Sequence, residues 1–245
     1  MQIRYELSNK ADDQFHTALH RLAAEDGVSR ICEIGGGANP ALPLDFVREH
    51  GLQYTIVDVS QAELEKAPDG YEKVHADIAD PNHEIPGKYD LVFSKWCAEH
   101  VRDGQVFHRR VYDLLAQGGR ALHLFPTLFA PPFLVNRLIP EWLSSRVLLL
   151  LQPHRDPEGD HGKFPAFYSW CRGPSSPQLR RLEGLGYRVH EYAAFFGHSG
   201  EVAYGAGYLD RIPPLRVCHE WLARQLVRRP LSYLTTFAYV ILGKG

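Results

Sequence analysis

The sequence lacks several features that would place it in a specialised class of protein. Its 245 residues include only four cysteines, Cys32, Cys97, Cys171 and Cys218, and none of them forms a CxxC pair. Cysteines this sparse indicate reduced thiols rather than a disulfide framework or a zinc site. The N-terminal stretch MQIRYELSNKADDQF also has no long apolar core of the kind found in signal peptides. These absences predict a cytoplasmic protein.

An excess of charge of one sign is missing as well. The chain has 27 Lys and Arg against 29 Asp and Glu, a formal net charge of -2, which argues against a dedicated nucleic-acid-binding protein. Its most apolar stretch, LIPEWLSSRVLLLL, is preceded by Arg137 and interrupted by Glu141 and Arg146, so no transmembrane helix is expected. We therefore expect one globular domain, residues 1–245.

Short apolar strands alternate with helices through the first half of the chain. The expected strands are RICEI, LQYTIVDV, YEKVHADI, YDLVFSKW and RALHLFPT, which begin at residues 30, 52, 71, 89 and 120. An amphipathic helix over 103–119 is expected to end at Gly118 and Gly119. Such alternation predicts an α/β fold, with a parallel sheet covered by helices on both faces.

Three glycines, Gly35 to Gly37, follow the first expected strand. Ligands of such sheets bind beyond the carboxyl ends of the strands, and glycine lets a ligand approach the bare backbone. The dinucleotide pattern GxGxxG would need glycine where Pro40 stands, and no Gly-Lys-Ser/Thr follows as a P-loop requires. These departures disfavour a nicotinamide oxidoreductase and a P-loop nucleotide-binding protein.

Three acidic residues lie at the ends of the first three expected strands. Glu33 precedes the glycines, while Asp58 and Asp77 end the second and third strands. A ligand bound by carboxylates and bare amides, with no phosphate-binding lysine, is expected to be a cationic nucleoside. S-adenosylmethionine, which has a sulfonium, an ammonium and a ribose but no phosphate, fits this description.

Five segments also occur in the order and spacing of a known family. They are ICEIGGGANP, YTIVDVS, VHADI, YDLVFSKWCAEHV and LLAQGGRALHLFPT. They resemble the motifs of class I SAM-dependent methyltransferases, and particularly the small-molecule branch that includes quinone-biosynthesis enzymes. The resemblance covers roughly residues 29–127 and the final LSYLTTFAYVILGKG. It implies a Rossmann-like, mostly parallel sheet of seven strands whose last strand is antiparallel.

The resemblance also implies a set of cofactor-binding residues. Gly35 and Gly37 would admit the methionine portion, Glu33 would hold its ammonium through water, and Asp58 would bind the ribose. Asn39 stands where the family often has a third glycine, and Val59 follows the acid that would bind the ribose. Asp77 and the Ile78 amide would contact the adenine. Ser94 and Lys95 would line the methionine pocket.

Two insertions, residues 126–174 and 193–230, are not explained by the resemblance. Both are expected to leave the carboxyl edge of the sheet and to form a cap that selects the methyl acceptor. The cap is aromatic, and residues 126–230 hold 13 Lys and Arg against 9 Asp and Glu. This composition suits a small-molecule acceptor with a hydrophobic portion; a lipid-tail groove or peripheral membrane contact is the minority interpretation.

Two histidines in these insertions, His161 and His198, are candidates for the general base that a hydroxyl acceptor would need. No metal site is expected, because Glu99 and His100 lack the first acid of an E-x-x-E-H motif and the acidic loop 154–163 has no ordered ligand spacing. The sequence thus predicts a SAM-dependent methyltransferase, and specifically an O-methyltransferase of a natural product, sugar or lipid-linked intermediate. N- or C-methyl transfer and a non-catalytic SAM-binding partner protein remain open alternatives.

Overall fold

The computed structural model describes residues 1–129, 165–197 and 213–245. Within these ranges, eight strands form one sheet. They are β1 (Gln2–Leu7), β2 (Arg30–Ile34), β3 (Gln53–Asp58), β4 (Glu72–His75), β5 (Tyr89–Lys95), β6 (Leu115–Pro126), β7 (Tyr187–Phe196) and β8 (Phe237–Lys244). The strand order across the sheet is β1-β7-β8-β6-β5-β2-β3-β4.

The pairing directions agree with the expected fold class. β2 pairs in parallel with β3 and β5, β3 with β4, and β5 with β6, whereas β8 runs antiparallel between β6 and β7. The carboxyl ends of the parallel strands therefore lie along one edge of the sheet. The residues that follow β2, β3 and β4 are brought together there.

Helices cover both faces of this sheet. The described helices are α1 (Ala11–Ala23), α2 (Leu44–Glu49), α3 (Gln61–Lys66), α4 (Gly104–Leu114), α5 (Ser176–Glu183) and α6 (Pro213–Arg228). On one face α1 buries Phe15 and Leu19 in a core that includes Phe93. On the other face α4 buries Phe107 and Val111. Each apolar strand is thus buried from both sides, as a mostly parallel sheet requires.

The structure corrects the expected strand count. A strand at the N-terminus, β1, was not expected from the sequence; it pairs in parallel with β7 and makes an eight-stranded sheet rather than one of seven. Its alternation of Ile3, Tyr5 and Leu7 with polar residues is the signal that indicates a strand.

Two element boundaries also differ from those expected. The helix expected over 103–119 ends at Leu114, and β6 begins at Leu115, where the chain already pairs with Tyr89. β7 continues to Phe196, so residues 193–196 belong to the sheet and not to the second insertion. Among the described helices, none has the length and apolarity needed to cross a membrane.

Candidate functional site

The glycine run forms a tight loop at the carboxyl end of β2. Gly35 is exposed and has a φ of +77°, and its amide donates to the Val57 carbonyl at 2.7 Å. A Cβ at Gly35 would lie 2.6 Å from Cys97 Sγ, and one at Gly37, where φ is +43°, would lie 3.2 Å from Asp58 Oδ2. Side chains are therefore excluded from the loop, and Gly35 presents bare backbone at the sheet edge.

Glu33 is buried directly beneath this loop. Its Oε2 accepts hydrogen bonds from the Tyr54 hydroxyl at 2.7 Å and from the Ala41 amide at 3.2 Å. A Cβ at Gly36 would approach the same oxygen to 2.6 Å, so the middle glycine is required by the carboxylate below it. Burial raises the pKa of Glu33 to about 7. The ionisation of this carboxylate is therefore sensitive to a nearby cation.

Asp58 ends β3, next to the glycine loop. Its Oδ1 accepts from the Ser60 amide at 2.8 Å, and the half-buried position raises the pKa of the carboxyl. The following residue, Val59, is 65% exposed although it is apolar. A carboxylate and an exposed apolar surface thus lie side by side at the strand end, an arrangement suited to a hydroxyl-bearing sugar attached to a flat base.

Asp77 and Ile78 follow β4 at the same edge. Asp77 Oδ1 accepts from the Ala79 amide at 2.8 Å, and the Asp77 amide donates to His83 Nδ1 at 2.9 Å. Ile78 is only 5% exposed. Asp77 therefore stabilises a local turn, and its carboxylate keeps acceptor capacity for a further donor because each oxygen has two lone pairs.

Ser94 and Lys95 lie inside β5 rather than just past it. The Ser94 hydroxyl forms a 2.8 Å hydrogen bond with His123 Nδ1 and has no exposed surface. Lys95 Nζ lies 2.8 Å from Asp12 Oδ1 and 2.9 Å from His16 Nε2, both on α1. The Ser94 side chain therefore does not line an open pocket, and Lys95 instead ties β5 to the N-terminal helix.

The remaining expected site residues divide between the loop and the undescribed insertions. Asn39 is exposed, and its amide donates to the Gly36 carbonyl at 3.0 Å, closing a turn in the glycine loop. His161 and His198, the candidate bases, lie outside the described residues, as does the acidic loop 154–163. Among the residues that are described, no group of three or more His, Cys, Asp and Glu side chains is arranged to hold a metal ion.

A buried carboxyl that the sequence reasoning had considered only as a metal ligand also lies just beyond the end of β5. Glu99 is 5% exposed, and no described group forms a hydrogen bond with its Oε2. Burial raises the pKa of Glu99 to about 8, so the group is largely protonated at neutral pH. The strained backbone of Trp96, at a φ of +53°, turns the chain toward this position. The sequence indicates neither the burial of Glu99 nor the positive φ of Trp96; only the Glu-His pair itself is visible there.

The donor set at this edge fits S-adenosylmethionine. Gly35 exposes bare backbone at this edge, Glu33 lies beneath the loop, and Asp58 with Val59 lies beside it. These groups provide a carboxylate for a cation, a carboxylate for ribose hydroxyls and an apolar surface for adenine. The residues present thus match the chemistry of this cofactor.

Comparison with known proteins gives a family for the chain. The profile of a family described as a methyltransferase domain matches residues 5–172. A search of curated proteins gives no significant match. The profile spans more than half of the chain. The matched residues include most of the sheet, the glycine loop and the acidic strand ends.

Solved structures resemble the chain at the level of the fold. A SAM-dependent methyltransferase from Archaeoglobus fulgidus superposes with a TM-score of 0.54 and 18% identity, over 95% of this chain and 94% of that one. A SAM-dependent methyltransferase from Mesorhizobium loti has a TM-score of 0.54 and 19% identity, over 96% of this chain and 100% of that one. Phosphoethanolamine N-methyltransferase 2 of Haemonchus contortus was solved with S-adenosyl-L-methionine. It has a TM-score of 0.53 and 15% identity, over 95% of this chain and 52% of that one.

Proposed function

We propose, since the chain belongs to the methyltransferase domain family, that this enzyme transfers a methyl group to a hydroxyl oxygen of a small-molecule acceptor. S-adenosylmethionine is its cofactor and supplies the methyl group as an electrophile on a sulfonium. Within the family we assign it to the branch that acts on small molecules, with a natural product, sugar or lipid-linked intermediate as acceptor.

One observation carries the cofactor part of this proposal. The glycine loop meets Glu33 from above and Asp58 from the side, with hypothetical Cβ contacts of 2.6 and 3.2 Å to the two carboxylates. The two contacts belong to the buried glycines Gly36 and Gly37, and they hold the loop, with the exposed backbone of Gly35, against both acids. A cationic ligand with vicinal hydroxyls satisfies both acids at once.

The roles of the remaining residues follow from their positions. We assign the methionine ammonium to Glu33 through water and the ribose to Asp58, while Val59 and Ile78 border the adenine with Asp77. Asn39 would contribute through the turn it closes. Because Ser94 and Lys95 bond to other side chains, they would contribute mainly by holding β5 in place.

The acceptor part of the proposal rests on the two insertions. Both leave the sheet at its carboxyl edge, after β6 and after β7, and they carry His161 and His198. Methyl transfer needs the acceptor oxygen held in line at close range, so binding in a cap supplies much of the rate. One of the two histidines would remove the hydroxyl proton.

Calorimetry of the Asp58→Ala variant tests this assignment. Losing the carboxylate leaves ribose hydroxyls without a partner, so we expect the affinity for S-adenosylmethionine to fall by a few kcal/mol, roughly a hundredfold. Asp45→Ala is the matched control because Asp45 is fully exposed at the start of α2. His161→Ala and His198→Ala should also bind normally. An unchanged affinity in Asp58→Ala, or NAD binding in its place, would contradict the proposal.

A further inference from the structure

An apolar surface is exposed along α6 and the segment that follows it. Ten large apolar side chains are exposed among the described residues, and six of them lie within residues 213–234. Three are on the helix: Val217 at 66%, Trp221 at 61% and Leu222 at 48%. Of the described side chains of α6, Ala223 alone is buried. The helix therefore packs Ala223 against the protein and leaves these three larger side chains exposed, whereas an ordinary amphipathic helix buries its large apolar side chains.

The same outward face is basic in its second half. Val217, Trp221, Arg224 and Arg228 are spaced four, three and four residues apart, so they lie in one line along the helix. Residues 213–234 contain four arginines and a single acid, Glu220, which contacts Arg216 at 2.8 Å and Arg224 at 3.9 Å. The outward line thus begins with a tryptophan and a valine and ends with cationic side chains.

The segment after the helix extends this surface to the cofactor edge of the sheet. Leu231, Tyr233 and Leu234 are 44%, 56% and 40% exposed. Between them, Ser232 Oγ lies 2.8 Å from the Tyr5 hydroxyl, and the Thr236 amide donates to the Phe195 carbonyl at 2.7 Å. These bonds fix the segment at the carboxyl ends of β1 and β7. The exposed apolar surface is therefore attached to the rigid sheet.

We propose that this surface, defined by Val217, Trp221, Leu222, Arg224, Arg228 and residues 231–234, docks the protein onto an anionic lipid bilayer. Tryptophan and tyrosine favour the bilayer interface because one end of the side chain is apolar and the other polar. Arginines in the same line pair with lipid phosphates, and such cations add about 1 kcal/mol each near an anionic surface. A second copy of the chain is the alternative occupant to be tested, because an isologous contact would bury the same apolar side chains.

Sedimentation of the full-length protein with vesicles tests the proposal. We expect binding to vesicles of phosphatidylglycerol and phosphatidylcholine, weak binding to phosphatidylcholine alone, and release as salt is raised. Replacing both Arg224 and Arg228 by Gln should weaken the binding about thirtyfold. Trp221→Ser should weaken it about tenfold, whereas Trp221→Phe should retain most of it.

Arg48→Gln is the matched control, since Arg48 is a 70% exposed arginine in the last turn of α2. It should bind vesicles as the unaltered chain does. Circular dichroism and S-adenosylmethionine affinity show that each variant is folded. The proposal would be overturned if the protein bound neutral and anionic vesicles equally or bound neither. It would also be overturned if the α6 variants bound normally. So would a dimer that dissociates when Trp221 is replaced by Ser, because the surface would then belong to a second copy.

Discussion

We expect the protonation of Glu33 to link cofactor binding to pH, because this residue is proposed to hold the ammonium group of the cofactor. Its pKa is raised to about 7 by burial, so near neutrality the cofactor-free protein holds a mixture of the protonated and ionised forms. A cationic ligand selects the ionised form, and below pH 7 binding must therefore expel a proton. The Tyr54 and Ala41 hydrogen bonds keep the ionised oxygen in place.

The affinity for S-adenosylhomocysteine is accordingly expected to fall about tenfold from pH 8 to pH 6, because the ionised fraction of a group with a pKa near 7 falls by that factor. Calorimetry in buffers of different ionisation enthalpy would count the released proton. Glu33→Gln should bind weakly at both pH values and show no such slope. A dissociation constant that stays level across this range in the unaltered protein would rule out the coupling.

At the residue scale, the sequence shows which acidic residues lie at strand ends but not which side chains surround them. The strand-end positions of Glu33 and Asp58 were predictable, because each acid closes an apolar segment in a chain that alternates strands and helices. The burial of Ser94 was not predictable, since its partner His123 comes from a neighbouring strand that the local sequence does not specify. The side-chain environment of Glu99 depends on packing between distant segments in the same way.

The glycine loop is the element on which the candidate site depends. Its three glycines are required for different reasons: Gly35 by Cys97, Gly36 by Glu33, and Gly37 by its positive φ beside Asp58. The middle position has no unusual φ, so a side chain there conflicts only with the carboxylate beneath it. This makes the loop open to a direct test of packing.

Gly36→Ala should lower the free energy of unfolding by about 1–3 kcal/mol and weaken cofactor binding, because its Cβ would lie 2.6 Å from Glu33 Oε2. Chemical denaturation and calorimetry measure the two effects. In a Glu33→Ala background the same substitution should cost much less stability, since the conflicting oxygen is absent. An equal cost in both backgrounds would show that the strain arises elsewhere.

Element boundaries were harder to predict than element types. The helix before β6 was expected to continue to the glycine pair because Leu115 fits the helical spacing, yet the residue pairs with Tyr89 in the sheet. Pairing with a neighbouring strand here overrides a local apolar pattern that fits either a helix or a strand. β1 was missed for a different reason: its six residues alternate as a strand does, but they lie outside the β-α alternation and pair with β7, nearly two hundred residues later in the chain.

At the scale of the whole molecule, Glu99 makes stability depend on pH. Its folded pKa is about 8, whereas an unfolded glutamate has a pKa of about 4.3. The stabilising contribution of the protonated form is therefore fully present below about pH 4.3 and is lost as the pH rises through 8. Over this window the unfolded chain releases a proton that the folded chain retains.

Glu99→Gln should remove this dependence, because the amide is neutral throughout. We expect the variant to be more stable than the unaltered chain at pH 7 by on the order of 3–4 kcal/mol and nearly equal to it at pH 4.5. Urea denaturation at several pH values would measure this difference. If the two proteins keep the same stability difference at every pH, then Glu99 does not titrate in this window.

The pairing of β1 with β7 has a consequence for how the chain folds as it is made. Residues 2–7 find their partners at positions 191–196, whereas β2, β3, β4 and β5 pair among themselves within the first hundred residues. A chain leaving the ribosome can thus assemble the half of the sheet that carries the glycine loop early. β1 must wait, exposed, until β7 has been synthesised, so it joins the sheet later than several strands that follow it in the chain.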